Sequence, residues 1–396
     1  MDVIITHIVF LFIIALLVAL IAHRVKLPYT VGLVLTGVCL NLAHVKISIP
    51  LTHEFIFDVI LPPLLFEAAI NIHWKELKRD ILPILALAVF GVIVSAIFVA
   101  WGTSYFLHWP LYSALVFGVI IAATDPVAVI AMFKDIGLKG RLRLLVESES
   151  LFNDGVAAVL FATALSLASG GDYVSPLATI KSLLFTIIGG VFIGGICSIA
   201  AVLIAGRIAD YLIETTLTTV VAYGAFFLAE QLHVSGVLAA ITAGLVIGNV
   251  GICGHNKHAL SDHRKIINTI WEFIAFLANS LIFLLIGLRV AAISFPALGI
   301  LPLITVVLLV LVGRALAVYP LCLPFSRSKW AVPIRDQHVL WWGGLRGALG
   351  LALALSLPDT LSMHDEIVIA TFGVVVFSVI IQGLTMPLLL KSNEAV

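Results

Sequence analysis

Apolar residues run along the chain in long blocks separated by short polar stretches. A helix needs roughly 20 apolar residues to cross about 30 Å of hydrocarbon, and thirteen blocks approach that length. We number them as segments 1 to 13: 3–22, 29–44, 53–72, 81–107, 111–133, 143–169, 178–205, 213–231, 234–250, 266–288, 298–322, 338–357 and 366–390. Segment 1 is too long for a signal-peptide core. It has no basic flank before it and ends in Ala22-His23-Arg24 without a small-residue cleavage site. The pattern predicts an all-α polytopic membrane protein of about thirteen helices.

Composition agrees. Hydrophobic residues make up 62% of the 396 and charged residues 11%, against about 45–50% and about 25% in soluble domains. That balance excludes a water-soluble enzyme, a nucleic-acid binder and a disordered protein. The 22 basic and 22 acidic residues cancel, so no basic face exists for nucleic acid. Cys39, Cys197, Cys253 and Cys322 lie far apart, which suggests neither a disulfide framework nor a zinc site. Basic residues favour cytoplasmic loops. Here Lys46, Lys181 and Arg289 fall in loops on one side, and Arg314 and Arg346 fall inside segments. All other Lys and Arg residues lie in the loops after the odd-numbered segments or in the C-terminal tail. The expected orientation is N-terminus outside and C-terminus cytoplasmic. Short tails and loops leave no room for a soluble regulatory domain.

Ionised side chains are expensive in hydrocarbon, so those inside segments default to functional or tightly paired. They are Asp58 and Glu67 in segment 3, Asp125 in segment 5, Glu147, Glu149 and Asp154 in segment 6, Arg314 in segment 11 and Arg346 in segment 12. Glu230 and Glu272 sit near segment ends and read as interfacial. In Ala123-Thr124-Asp125-Pro126-Val127, Pro126 lacks an N–H and clashes with the preceding turn, which weakens the helix at mid-depth. A carboxylate at such a break, beside freed carbonyls, is a candidate cation site; the alternative is a proline kink with a hydrogen-bonded Asp. Segment 6 places Glu147, Ser150 and Asp154 on one helix face, with Glu149 and Asn153 on an adjacent stripe. At 1.5 Å per residue, Asp154 lies about 16 Å from the inner surface and Asp125 about 20 Å from the outer one, so the two can meet near the midplane. Such hard oxygen ligands suit alkali cations or protons.

In segment 3 the double proline Pro62-Pro63 bends the helix ahead of Glu67, which completes the site, lines its entrance, or sits at the cytoplasmic interface. Arg314 keeps its proton and needs a carboxylate partner or a water path; Glu149 is the preferred partner, leaving Asp154 free to exchange its proton. Arg346 lies in the glycine-rich start of segment 12, Gly343-Gly344-Leu345-Arg346-Gly347-Ala348, which could be unwound. Segments 5 and 12 are seven apart, and an odd offset reverses direction across the membrane. Pairing segments 1–6 with 8–13 as inverted repeats sets the two interrupted helices in matching positions, the pattern of a transporter site at the midplane. The pairs Gly189-Gly190 and Gly194-Gly195 in segment 7 fit close helix packing.

Together these residues resemble the sodium/proton exchanger family of monovalent cation:proton antiporters, in its prokaryotic, NhaP-like branch with an Asn-Asp pair. The motifs are Leu-Pro-Pro-Leu-Leu-Phe-Glu-Ala at 61–68, Thr-Asp-Pro-Val-Ala-Val at 124–129, Glu-Ser-Leu-Phe-Asn-Asp-Gly at 149–155 and Gly-Gly-Leu-Arg-Gly-Ala at 343–348. The resemblance implies a single antiporter unit over 1–396 with inverted six-helix repeats and discontinuous crossing helices. Core helices 3–6 and 10–13 would move against dimerisation helices 1–2 and 7–9 of a homodimer in the cell inner membrane. By similarity, Asp154 is the essential ion- and proton-binding carboxylate, and Na⁺ is held by Asp154, Asp125, Ser150, Glu67 and the carbonyl of Thr124. Asn153 helps hold that site, Glu149 pairs with Arg314, and Gly344, Arg346 and Gly347 belong to the second discontinuous helix.

The function so implied is exchange of Na⁺ or Li⁺ for H⁺ by alternating access, without cofactor or catalysis, the two ions competing for the same carboxylates. Asn153 is neutral where an electrogenic branch has a second Asp, so one cation exchanges for one proton. A K⁺/H⁺ antiporter would use the same residues. An intramembrane aspartyl protease would use two Asp residues as a dyad, but its Tyr-Asp and Gly-x-Gly-Asp motifs are absent from the sequence.

Overall fold

In the computed structural model each of the thirteen predicted segments is helical over most of its length, and no strand occurs among the described residues. Those residues are 2–25, 27–45, 51–127, 129–130, 133, 140–169, 176–205, 210–250, 257–291, 293 and 295–394. Lys46 and Cys253 lie outside them, as do Lys26, Lys134, Lys139 and Arg207 among the loop cations. Eight helices among the described residues are long and apolar enough to cross a bilayer alone. Three shorter apolar helices, Tyr29–Leu42, Leu111–Ala122 and Gly236–Val250, fall short of a full span by themselves. The count of thirteen crossings stands as the sequence expectation.

Local chemistry sets many helix ends. Pro28, Pro110 and Pro333 hold extended backbone immediately before Tyr29–Leu42, Leu111–Ala122 and Ile334–Trp342, where a fixed φ and a missing N–H do no harm. Asp210 caps Tyr211–Gln231 by accepting from Leu212 N at 2.8 Å. Pro62 and Pro63 occupy the first turn of Leu61–Ile70, immediately after a π-helical stretch, Phe55–Ile60. Their missing donors therefore fall at the junction of two helix types.

The chain divides into two compact units. Unit 1 comprises Met1–Ile56, Asp80–Asp172 and Ser280–Val396; unit 2 comprises Phe57–Arg79 and Tyr173–Asn279. In unit 1, Val92–Leu107 packs against both Leu111–Ala122 and Ile300–Cys322, and Arg141–Ala168 packs against Leu111–Ala122. Glycine permits the first contact, because a Cβ on Gly118 would strike the backbone carbonyl of Ala96. In unit 2, Gly236–Val250 packs against Pro176–Ala205, Leu61–Ile70 and Tyr211–Gln231. There a Cβ on Gly189, Gly190 or Gly194 would meet Val234, Ser235 or Ala239, so the close packing read from these glycines holds. Gly195 is the exception and faces open space.

The outer surface is apolar. Thr6–Val25 and Ile180–Ala205 each bury only 22% of their most apolar window, against 61% for His364–Leu390. Side chains such as Leu20, Phe185 and Phe192 point outward, an arrangement that water penalises and hydrocarbon does not.

Replacing Gly118 by Leu forces apart two helices whose backbones touch. We expect a loss of about 1–3 kcal/mol, the usual range for overpacking, read as a lower midpoint of thermal unfolding in detergent. An unchanged midpoint would mean that this contact does not hold unit 1 together.

Candidate functional site

Two helices of unit 1 are interrupted where the sequence places their breaks. Leu111–Ala122 ends and residues 123–126 are non-helical. Ile334–Trp342 ends at Gly343, residues 344–347 are non-helical, and Ala348–Leu355 resumes. A buried backbone group without a partner costs several kcal/mol in hydrocarbon, so each break must be satisfied from elsewhere.

The two breaks satisfy each other. Asp125 N donates to Leu345 O at 2.7 Å, and Arg346 Nη1 donates to Ala122 O at 2.9 Å and Ala123 O at 3.0 Å. The Asp125 carboxylate accepts from Val127 N at 2.9 Å and from Ala348 N, the amides that open the two resuming half-helices. An anion is favoured at a helix N-terminus and a cation at a C-terminus, and each charge sits at the end that suits it. Gly347 makes the approach possible, since a Cβ there would collide with the Asp125 carboxylate.

Segment 6, the helix Arg141–Ala168, closes the site from another side. Asn153 Oδ1 accepts from Thr124 N at 3.2 Å, and its Nδ2 donates to Thr124 Oγ1 and, at 3.1 Å, to Glu149 Oε1. Thr124 Oγ1 shares a 2.9 Å hydrogen bond with Ser150 Oγ. Glu149 and Arg314 form a two-pronged pair, both bonds 2.8 Å, and both groups are buried. Arg314 also donates to Leu340 O, an end carbonyl of Ile334–Trp342, and Gly344 gives it room, since a Cβ there would sit 2.8 Å from Arg314 Nε. Asp154 lies within electrostatic reach of Asp125 and Glu149, and its carboxylate makes no hydrogen bond among the described residues.

Most predicted residues thus converge: Asp154, Asp125, Ser150, Thr124, Asn153, Glu149, Arg314, Gly344, Arg346 and Gly347 all belong to unit 1. Glu67 belongs to unit 2, where its Oε1 accepts from Asn71 Nδ2 at 2.9 Å. Glu147 shares a helix face with Asp154 but ion-pairs with Arg143 at 3.5 Å one turn earlier. Glu230 and Glu272 are exposed, as their positions near segment ends suggest.

Sequence reasoning missed two residues of segment 13. Ser378 Oγ accepts from Arg346 N at 3.0 Å, and Gln382 Nε2 donates to Trp342 O at 3.0 Å, each meeting a backbone group freed by the second break. Both lie in a π-helical stretch, Ser378–Gln382. The available signal was the presence of two polar residues four apart in an apolar segment.

Reversing the charge of Arg314 alone leaves Glu149 buried against a like charge. We expect a loss of at least 3–5 kcal/mol, about the cost of breaking a buried pair, seen as aggregation or a large drop in unfolding midpoint. The double exchange Glu149→Arg with Arg314→Glu should recover part of it. No recovery would leave the pair without an energetic role.

Comparison with known proteins follows the same lines. The sequence model of the family described as "Sodium/hydrogen exchanger, transmembrane" matches residues 11–392. The chain is 40% identical to the Na⁺/H⁺ antiporter ApNhaP of Aphanothece halophytica, over 91% of this chain and 68% of that protein. It is 34% identical to the Na⁺/H⁺ antiporter NhaH of Halobacillus dabanensis, over 97% of this chain and 96% of that one. The solved structure of the sodium proton antiporter MjNhaP1 from Methanocaldococcus jannaschii shares the fold, with a TM-score of 0.76 at 22% identity over 99% of each chain. This chain belongs to the sodium/hydrogen exchanger family.

Proposed function

We propose that this protein exchanges Na⁺, or Li⁺, for H⁺ across the membrane, one cation for one proton, by alternating access. The observation that carries the reading is the charge content of the crossing. Asp125, Asp154 and Glu149 supply three negative charges, and Arg314 and Arg346 supply two positive ones. Fully ionised, the cluster is one negative charge out of balance. A low-dielectric interior penalises that imbalance strongly, and either one monovalent cation or one proton removes it.

The geometry supports distinct roles for the carboxylates. Glu149 is committed to Arg314 and Asp125 to two half-helix amides, whereas Asp154 has no such commitment and is the group free to exchange its partner. Ser150, Thr124 and Asn153 form a hydrogen-bonded set around the first break and hold oxygen atoms beside Asp125. For Glu67, assignment to the cation site rests on its motif alone.

The relatives named as Na⁺/H⁺ antiporters put sodium ahead of potassium, and membership of a transporter family removes the protease alternative. We place the protein in a prokaryotic cell membrane as a homodimer, N-terminus outside and C-terminus cytoplasmic, on the loop charges and the family resemblance. Core helices 3–6 and 10–13 moving against helices 1–2 and 7–9 is a division by motion. The division by packing differs: it sets most of segment 3 and the first part of segment 10 with segments 7–9 in unit 2, and segments 1 and 2 in unit 1.

Purified protein in liposomes with an internal pH dye tests the reading. Added Na⁺ or Li⁺ should move protons in the wild type, and Asp154→Asn should abolish the movement while the protein remains folded. Normal exchange in that variant would remove Asp154 from the mechanism. A response to K⁺ alone would change the substrate.

A further inference from the structure

We infer that Arg346 is a tethered cation, occupying what would otherwise be a second cation site and so limiting the crossing to one exchangeable ion. The inference rests on the antiport reading above and adds a residue that sets how many ions are carried.

Its starting point is where the guanidinium sits. Ala122 O and Ala123 O end the helix Leu111–Ala122 and have no helical donor below them, because the chain is extended from Ala123. Carbonyls at the C-terminal end of a broken membrane helix carry the negative end of its dipole and are suited to coordinate a cation. Here both are taken by Arg346 Nη1. A cationic nitrogen therefore stands where two freed carbonyls would attract a free ion, within electrostatic reach of the Glu149 carboxylate.

Two further facts separate this from an ordinary structural arginine. Arg346 has no carboxylate hydrogen-bonded to it among the described residues; its side-chain bonds go to those carbonyls alone. It is also 2% exposed, and its Nε–H has no hydrogen-bond partner among the described residues. It borders a small cavity shared with Arg314, Gly344, Trp341 and Gln382. Buried arginines usually satisfy all their donors. A buried guanidinium that binds two freed helix-end carbonyls and no carboxylate sets its charge against the negative end of a helix.

Removing that charge changes the balance. With Arg346 neutral, the cluster of Asp125, Asp154, Glu149 and Arg314 is two negative charges out of balance, and two carbonyls lose their donor. Sodium is then expected to fill the vacated place.

Equilibrium sodium binding to purified protein at alkaline pH tests this. Wild type should bind one Na⁺ per chain, Arg346→Lys one, and Arg346→Gln two. In Arg346→Ala, thermal stability should depend on sodium far more steeply than in wild type, with choline unable to substitute. A folded Arg346→Gln that binds one Na⁺ or none, beside a wild type that binds one, overturns the proposal. So does a neutral variant that fails to fold at every sodium concentration while Arg346→Lys folds. Absence of sodium binding in the wild type would instead overturn the antiport reading itself.

Discussion

Hydrocarbon offers no hydrogen bonds, and the site follows from that constraint. An unbroken helix meets it alone. Two broken helices cannot, and each interruption frees amides and carbonyls that need partners inside the protein. The observed solution sets the breaks against each other and uses charge where a neutral group would be weaker: Asp125 at two amide ends, Arg346 at one carbonyl end. Three further backbone groups at the second break, Arg346 N, Trp342 O and Leu340 O, are met by Ser378, Gln382 and Arg314.

Charge used in this way has to balance, which links the architecture to transport. Glu149 and Arg314 neutralise each other at 2.8 Å and are buried together, so they fix segment 6 against segment 11 without contributing net charge. Asp125 and Arg346 contribute one charge of each sign at the two breaks, Asp125 on half-helix amides and Arg346 on the carbonyls of Ala122 and Ala123. Asp154 is left over, on the same rigid helix as Glu149 and Asn153. On the proposed function, a carboxylate that the scaffold does not neutralise takes its counter-charge from solution, as a metal cation or as a proton. Exchange of one for the other then leaves the charge of the loaded protein unchanged.

Much of this was legible in the sequence, for identifiable reasons. Segment positions follow from apolar run length, and the break in segment 5 from a proline without an N–H. Pairing of Glu149 with Arg314 follows because neither can sit alone in hydrocarbon. Gly344 and Gly347 were readable as an unwinding signal, but not as the clearance that Arg314 and Asp125 need, since that depends on which helices meet. Glu147 shares the face of Asp154, as helical spacing indicates, and ion-pairs with Arg143 nearer the helix start. Ser378 and Gln382 stood out only as two polar residues in an apolar segment, and their roles were not legible because their partners are backbone groups, which carry no sequence signature.

The central claim is that a single uncompensated charge at the crossing sets the exchange at one cation for one proton. The most direct measurement is the current produced by a sodium gradient across a membrane carrying the purified protein, with proton flux recorded at the same time and the potential clamped at several values. The account predicts sodium and proton fluxes equal in size, no steady current, and no change in rate with potential. A steady current, or a rate that rises with imposed potential, would mean that the loaded states differ in charge and would contradict it.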